Sequence, residues 1–237
     1  MALVTMKELL EAGVHFGHKK EKWDPRMKKF IFGEKNGIYI IDLQKTLRKL
    51  KEAYLAIRES VESGGTVLFV GTKRQARDIV RTEGERCGAF YVSERWLGGL
   101  LTNFRTIRKS VNRMKELEKM REDGQFQSLS KQEVIRLERE HEKLEKYLIG
   151  IREMNDLPSM MYVVDIHRER IAVEEAKKLG IPLVGIVDTN SNPESVQYPI
   201  PGNDDATRSI QLITSLVANA VLEGKGATQS KEEEIES

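Results

Sequence analysis

Two histidines and three aspartates have the residue types and positions that could bind a metal ion. His15 and His18 form an H-x-x-H pair, which lacks the glutamate of the helical H-E-x-x-H zinc motif. Asp188, Asp204 and Asp205 follow predicted strands, on the side of an open α/β sheet where ligands bind. His18, Asp188, Asp204 and Asp205 are therefore a candidate site for a single zinc or magnesium ion, with no cofactor required. The alternatives are an RNA contact or a surface pair for the histidines, and a helix cap for Asp204.

Three basic segments that also contain aromatic residues or glycines are candidates for binding RNA. Lysine and arginine neutralise phosphates, whereas Phe and Trp stack on bases or riboses. We predict that these segments form one surface that binds folded RNA through phosphates and riboses, with little base readout. The alternative for Trp23, Trp96 and Phe104 is burial as packing at a hinge. The predicted RNA-binding residues are His15, Phe16, Gly17, His18, Lys19, Lys20, Trp23, Arg26, Lys28, Lys29, Thr72, Lys73, Arg74, Arg95, Trp96, Thr102, Asn103 and Arg105.

Motifs of catalysis are missing from the sequence. The turn 71–74 follows a predicted buried strand but has neither the G-x-G-x-x-G nor the Walker A spacing. No G-x-S-x-G occurs, and Cys87 has no visible base partner. We therefore predict that the chain is not an enzyme. The alternatives are a nucleotide-dependent α/β enzyme and a coiled-coil scaffold with a vestigial α/β body.

Composition and charge distribution agree with an intracellular nucleic-acid-binding protein. The 237 residues are 39% hydrophobic, which permits a substantial core and excludes global disorder. A single cysteine excludes an internal disulfide and favours a reducing compartment. No signal peptide or membrane-length apolar run is visible, so we expect a cytoplasmic location. The net charge is only +2, but residues 71–115 carry eleven Lys/Arg against four Asp/Glu, whereas 156–205 carry four against nine.

The elements that must position these residues alternate between strand and helix. Continuous apolar runs predict buried strands, and apolar residues spaced by three or four predict amphipathic helices. Alternation of this kind indicates a parallel sheet covered by helices. T-x-x-E at Thr5 and T-x-x-Q at Thr72 are typical of helix starts. The predicted strands are 38–41, 66–70, 89–92, 160–164, 183–187 and 198–200, and the helices of this body are 6–12, 43–62, 72–83, 168–179 and 204–222.

An insertion interrupts the alternation after the third predicted strand. Apolar positions from Phe104 to Leu117 and from Val134 to Ile151 are spaced by three and four residues, as in a heptad seam. The pattern predicts an antiparallel coiled-coil helical hairpin that projects from a Rossmann-like parallel sheet; the alternative packs both helices on the sheet. The predicted domains are 1–103 with 156–224 as a discontinuous α/β body, 104–155 as the hairpin, and 225–237 as a flexible acidic tail.

Five motifs in order resemble the bacterial small-subunit ribosomal protein S-two family, and together they span about residues 5–224. They are Leu9-Leu10-Glu11-Ala12-Gly13-Val14-His15-Phe16-Gly17-His18, Gly37-Ile38-Tyr39-Ile40-Ile41-Asp42-Leu43-Gln44-Lys45-Thr46, Phe69-Val70-Gly71-Thr72-Lys73, Arg95-Trp96-Leu97-Gly98-Gly99-Leu100-Leu101-Thr102-Asn103-Phe104 and Ile200-Pro201-Gly202-Asn203-Asp204-Asp205-Ala206. The resemblance implies a Rossmann-like sheet with an inserted coiled-coil hairpin. It also implies a structural, non-catalytic protein of the small ribosomal subunit.

The resemblance further implies partners and a location. Members of this family bind small-subunit rRNA at the head–body junction near the mRNA exit, and they help retain the mRNA-binding protein S-one. Four positions depart from the family pattern: Asp24 replaces a common Asn, Ile166 a frequent Pro, and Asn192 and Gln197 residues that are often acidic. Asp24 weakens a phosphate contact at that position, and the last two disfavour an acidic ligand set in their loop.

Overall fold

The computed structural model describes residues 3–236, which contain a small antiparallel sheet and a larger parallel sheet. The chain begins with helix α1 (Met6–Glu11), which Thr5 and Glu8 cap reciprocally. This capping box is the one that the T-x-x-E spacing predicts, because each side chain accepts a backbone N–H that the first helical turn leaves free.

The small sheet lies in a region that the sequence predicted to be mostly loop. Strands β1 (Phe16–Lys19), β2 (Ile31–Lys35) and β3 (Ile38–Ile41) pair antiparallel in the order β1-β3-β2. The prediction of a loop from 13 to 36 was therefore wrong. The missed signal is Asn36-Gly37, where both residues have positive φ, 55° and 75°, as a tight hairpin turn between β2 and β3 requires.

The parallel sheet forms as predicted. Its order is β5-β4-β6-β7-β8, and each neighbouring pair is parallel. Because parallel strands run in one direction, the loops that follow all five strands emerge at one edge, which we call the carboxyl edge. The strands are β4 (Val67–Val70), β5 (Phe90–Val92), β6 (Met160–Val164), β7 (Leu183–Val187) and β8 (Tyr198–Pro201).

Alternate residues of the sheet enter two different buried clusters. Val67 and Phe69 of β4 belong to a cluster with residues of three helices, α2 (Leu43–Glu62), α3 (Arg77–Cys87) and α7 (Thr207–Glu236). Leu68 and Val70 belong to the other cluster, with residues of helix α6 (Arg170–Leu179). The period of two in a strand places these neighbours on opposite faces, so helices cover both faces of the sheet.

The insertion contains the two predicted helices in contact with each other. Helix α4 (Phe104–Glu122) and helix α5 (Lys131–Leu148) are joined by a 3-10 turn at Gln125–Ser128. Arg113 Nε of α4 lies 3.0 Å from Glu140 Oε1 of α5. The bases of these helices also enter the core, because Val111, Met114 and Leu148 share a buried cluster with Leu68 and Val70.

The last helix continues beyond its predicted end near Leu222. Helix α7 extends to Glu236, so the predicted acidic tail 225–237 is helical through that residue. The start of this segment contacts the body, since Lys225 Nζ donates to the carbonyls of Cys87 and Gly88 at 2.9 Å. Gly224 lies against α2, where an added Cβ would meet the Arg58 carbonyl at 2.8 Å. Packing on the body therefore extends the helix past its apolar sequence.

Candidate nucleic-acid interface

The three predicted RNA-binding segments are anchored along the carboxyl edge. The turn after β4 lies beside the segment after β5, because Gly71 N donates to Val92 O at 3.0 Å. The N-terminal loop docks at the end of β7, where Asp24 N donates to Thr189 O at 2.7 Å. The strand order separates β4 from β7 by two strand spacings, which is about 10 Å. The strand ends thus bring together residues that are far apart in sequence.

Thr189 fixes the N-terminal loop on the sheet, and Gly17 permits this contact. The Thr189 hydroxyl accepts from His18 N at 2.8 Å. A Cβ added at Gly17 would lie 2.5 Å from Thr189 Cγ2 and 3.0 Å from the Tyr39 carbonyl. The close approach explains why a glycine separates Phe16 from His18. Gly17 therefore has a packing role within the protein.

The predicted basic residues divide into paired and unpaired side chains. Lys20 pairs with Glu34 at 3.0 Å, and Lys29 lies 4.0 Å from Glu194. Arg26 binds Asp24 through both Nε and Nη2, at 2.9 and 2.8 Å, so this departure from the family pattern neutralises a predicted phosphate contact. Five of the predicted cations are exposed and form no ion pair with any residue between 3 and 236, and we call them the free cations: Lys19, Lys28, Arg74, Arg95 and Arg105.

The aromatic residues of the three segments differ in their access to a ligand. Trp96 is buried, and its Nε1 donates to Glu175 Oε1 at 3.1 Å, so its ring is part of the protein interior. Trp23 is half-buried, and its ring centroid lies 5.1 Å from that of Tyr39. Phe16 is 47% exposed and is the aromatic residue of these segments best placed to stack on RNA.

Lys73 is surrounded by carboxylates and is not a free cation. Its Nζ lies 2.6 Å from Asp204 Oδ1, 2.6 Å from Asp205 Oδ1 and 3.0 Å from Asp165 Oδ2. Burial by itself would lower the pKa of Lys73, but Asp204, Asp205 and Asp165 outweigh that effect and raise it. Asp165 has a left-handed backbone with φ of 65°, and its Oδ1 accepts from Arg168 N at 2.9 Å. Lys73 thus ties together the ends of β4, β6 and β8.

The predicted metal ligands lie next to Lys73. One potential ligand atom from each of His18, Asp188 and Asp204 falls within 4.8 Å of the others. His18 Nδ1 is 3.1 Å from Asp188 Oδ1, and His18 Nε2 is 3.2 Å from Asp205 Oδ2. Asp205 approaches this group, although it is more than half exposed. The sequence prediction that one histidine and these carboxylates converge is therefore geometrically sound for His18, Asp188 and Asp204.

The electrostatics of this cluster favour an added cation. Burial and the nearby charges of Asp188 and Asp165 raise the pKa of Asp204 to about 7. Asp204 Oδ2 is buried and has no hydrogen-bond partner among the described residues. The hydrogen bond to Asp188 raises the pKa of His18, against the opposing effect of burial. A buried carboxylate oxygen without a donor fits a metal ligand, and the donor set of nitrogen and oxygen suits zinc.

Two predicted helix caps have other roles. Helix α3 begins at Arg77 after Ala76, and Thr72 instead donates its hydroxyl to Glu169 Oε1 at 2.6 Å. At the start of α7 the capping oxygen is Asn203 Oδ1, which accepts from Asp205 N at 2.8 Å and from Ala206 N at 3.0 Å. The cap predictions at Thr72 and Asp204 were therefore wrong, because tertiary partners at the carboxyl edge take both side chains.

A fourth basic group at this edge was missed from the sequence. His167, Arg168 and Arg170 are exposed and follow β6, which lies between β4 and β7. Arg168 Nε lies 3.4 Å from the Thr72 hydroxyl, so it adjoins the turn that carries Arg74. The available signal was their position directly after a buried parallel strand.

Fold and site together define a Rossmann-like α/β protein with a two-helix insertion and a basic carboxyl edge. No helix within residues 3–236 has the length and apolar character needed to cross a membrane. The family model described as Ribosomal protein S2 matches residues 9–224. The chain is 59% identical over 223 residues to the small ribosomal subunit protein uS2 of Treponema pallidum subsp. pallidum, covering 94% of this chain and 77% of that protein, with the same values for the uS2 of Treponema pallidum strain Nichols. The chain belongs to the ribosomal protein S2 family, a family of structural proteins and not of enzymes, which confirms the resemblance.

Proposed function

We propose that the carboxyl edge of this small-subunit ribosomal protein is its rRNA-binding surface. The observation that carries the proposal is the set of five free cations, which lie on the three segments anchored along this edge. Because ammonium and guanidinium groups without an internal partner lose no ion pair on binding, they are the side chains best suited to contact phosphates. The protein is cytoplasmic and ribosome-bound as a member of its family.

The number of free cations sets the expected strength of binding and its salt dependence. Each phosphate neutralised changes the slope of log K against log salt by roughly 0.7–0.9. At about 0.1 M salt, this slope makes one contact worth roughly five- to eightfold in affinity. Binding should therefore weaken steeply as salt rises, and base sequence should matter little.

A triple variant tests the proposal. Replacing Arg74, Arg95 and Arg105 by Ala should lower affinity for small-subunit rRNA by at least about a hundredfold and flatten the salt slope by roughly 2–3. The matched control replaces Lys131 and Lys143, which are exposed on α5. We expect the control to change affinity much less, with circular dichroism unchanged in both. A larger loss from the α5 control than from the triple variant would place the RNA site on the insertion and refute the proposal.

We also propose the position and protein partner that the family resemblance implies. The chain contacts rRNA at the head–body junction near the mRNA exit and helps retain protein S-one. Cross-linking from Lys19 and Lys28 within assembled small subunits should recover rRNA of that junction. Subunits assembled without the chain should lose S-one, and full S-one occupancy in such subunits would contradict the partner assignment.

We further propose that His18, Asp188 and Asp204 hold one zinc ion, with Asp205 beside them. The unpartnered Asp204 Oδ2 and the short separations within the cluster support this assignment. Zinc titration of the EDTA-treated protein, followed by calorimetry, should show one site that is lost in Asp204→Asn. The exposed control Asp156→Asn should keep it. Equal binding by both variants would exclude this site.

The division of the chain follows from the same packing. We propose that α4 and α5 form an antiparallel coiled-coil hairpin whose distal part is an appendage of a discontinuous α/β body. The heptad seam and the ion pair between Arg113 and Glu140 support this arrangement. The base of the hairpin belongs to the body, since Val111, Met114 and Leu148 lie in its core.

A further inference from the structure

A single buried carboxylate organises the segment that carries two of the free cations. Glu175 lies on α6, and only 8% of it is exposed. Its Oε1 accepts from the Trp96 indole Nε1 at 3.1 Å and from Gly99 N at 2.7 Å. Its Oε2 accepts from Leu101 N at 3.0 Å and from both N and Oγ1 of Thr102 at 3.1 Å. The carboxylate therefore fixes every part of the turn between Trp96 and Thr102.

All five partners of Glu175 are donors, so the site is complete only with an ionised carboxylate. Burial by itself would raise the pKa of Glu175, but hydrogen bonds from Thr102, Trp96, Gly99 and Leu101 outweigh it, and the pKa is lowered. A neutral glutamine has the same shape, but it would direct an NH2 group at N–H donors. The side chain thus acts as a built-in anion, around which backbone amides converge as they do around bound phosphates elsewhere.

The turn that Glu175 fixes sets the positions of Arg95 and Arg105. These arginines flank the turn directly, are exposed, and form no ion pair within residues 3–236. Gly99 has φ of 83°, and Asn103 N donates to Gly99 O at 2.8 Å, so the backbone passes from the turn straight into α4. Without the carboxylate, three convergent amides would lack their acceptor, and the turn would lose this conformation.

A second carboxylate at the start of the same helix repeats this arrangement on another segment. Glu169 immediately precedes α6 and is 4% exposed. Its Oε1 accepts from Thr72 N at 2.9 Å and from the Thr72 hydroxyl at 2.6 Å. Thr72 lies two residues before Arg74, another free cation. The α6 region therefore anchors two RNA-binding segments that are neighbours only through the sheet.

We propose that Glu175 is a positioning residue for rRNA recognition, which holds Arg95 and Arg105 at the spacing of the phosphates that they contact. The inference rests on the proposed function of the carboxyl edge. Glu175 itself does not touch RNA, because it is enclosed by the turn. Its contribution is preorganisation, which lowers the entropy lost when the arginines bind.

The test compares Glu175→Gln with Glu174→Gln, an exposed neighbour on the same helix that loses the same charge. Glu175→Gln should weaken affinity for a small-subunit rRNA fragment by between about fivefold, the value of one contact, and about sixtyfold, the value of two, at 0.1 M salt. The salt slope should flatten by roughly 0.7–1.8. Glu174→Gln should match the wild type. Amide exchange at Gly99, Leu101 and Thr102 should accelerate only in Glu175→Gln.

A double-mutant cycle separates positioning from general stabilisation. If Glu175 acts through Arg95 and Arg105, then Glu175→Gln should cost little further affinity when both arginines are already Ala. Equal losses in the two backgrounds, or wild-type affinity and slope in folded Glu175→Gln, would overturn the inference. Should Glu175→Gln fail to fold, Thr102→Val, which removes one donor, must accelerate exchange at Gly99 and Leu101 and weaken binding; no change in binding would overturn it. Failure of the Arg74, Arg95 and Arg105 variant to weaken binding would instead refute the proposed function.

Discussion

Replacement of Lys73 by Met should destabilise the protein, because this ammonium group neutralises buried carboxylates. Its Nζ lies 2.6 Å from Asp204 Oδ1 and 3.0 Å from Asp165 Oδ2, and both of these aspartates are buried. Removing one partner of a buried ion pair typically costs about 3–5 kcal/mol. Asp205 is 53% exposed, so its share resembles a surface pair, about 0–1 kcal/mol. We expect a loss near ~3 kcal/mol at neutral pH, because Asp204 can escape part of the penalty by taking up a proton.

The loss should depend on pH in a direction that the structure fixes. The pKa of Asp204 is about 7 in the wild type, and without Lys73 it must be higher. Above pH 7 the wild type ionises Asp204 beside Lys73, whereas the variant still holds the proton that the unfolded chain has released. The variant should therefore lose about 1.4 kcal/mol more for each pH unit above 7. Between pH 5 and 6, where Asp204 is neutral in both proteins, the difference should be smallest.

Urea unfolding of Lys73→Met and wild type in EDTA, at pH 5.5, 7 and 8, measures this effect. The matched control is Lys20→Met, which breaks the exposed pair with Glu34 and should change the free energy of unfolding by less than about 1 kcal/mol. Adding Asp204→Asn to Lys73→Met should restore part of the loss. A stability within about 0.5 kcal/mol of wild type, together with weakened rRNA binding, would show that Lys73 is a phosphate contact, as the sequence predicted, and would refute this reasoning.

Three further predictions concern stability. In EDTA, the free energy of unfolding should fall as pH rises from about 4 to 7, because native Asp204, with a pKa of about 7, keeps a proton that the unfolded chain has lost; His18, whose pKa is raised, adds loss of the same sign above about pH 6.5, and Asp204→Asn should flatten the titration. Replacing 119–137 by a short Gly/Ser linker should leave one cooperative urea transition, whereas replacing 108–149 removes Val111 and Met114 from the core and should lower its midpoint; loss of cooperativity in the shorter deletion would make the distal hairpin part of the core. Gly150→Ala should lower the melting temperature strongly, because its Cβ would lie 2.2 Å from the Tyr91 carbonyl, whereas Gly33→Ala, with nothing within 4 Å, should not; equal melting temperatures would contradict the close approach.

Local sequence patterns determined the architecture of the body. Continuous apolar runs such as Val67–Val70 can only be buried on both faces, so they specify a helix-covered parallel sheet without reference to other segments. Parallel strands in turn place the loops that follow them at one edge. The convergence of His18 with Asp188 and Asp204 could be predicted for this reason, although these residues are about 170 or more positions apart in the chain. The Asn36-Gly37 hairpin carried an equally local signal, which was overlooked.

Only the tertiary structure decided which polar side chains are available at that edge. The sequence shows Lys73 and Arg74 as equivalent neighbours, yet one is enclosed by three carboxylates and the other is a free cation. Likewise, Trp96 could stack on RNA or pack inside the protein, and Glu175, 79 positions away, settles the choice by accepting its indole N–H. Residue type and spacing specify what a side chain can do. Its partner depends on which segments fold against it, because pairing energies at contact distance are set by burial and geometry, and neither is encoded by local pattern.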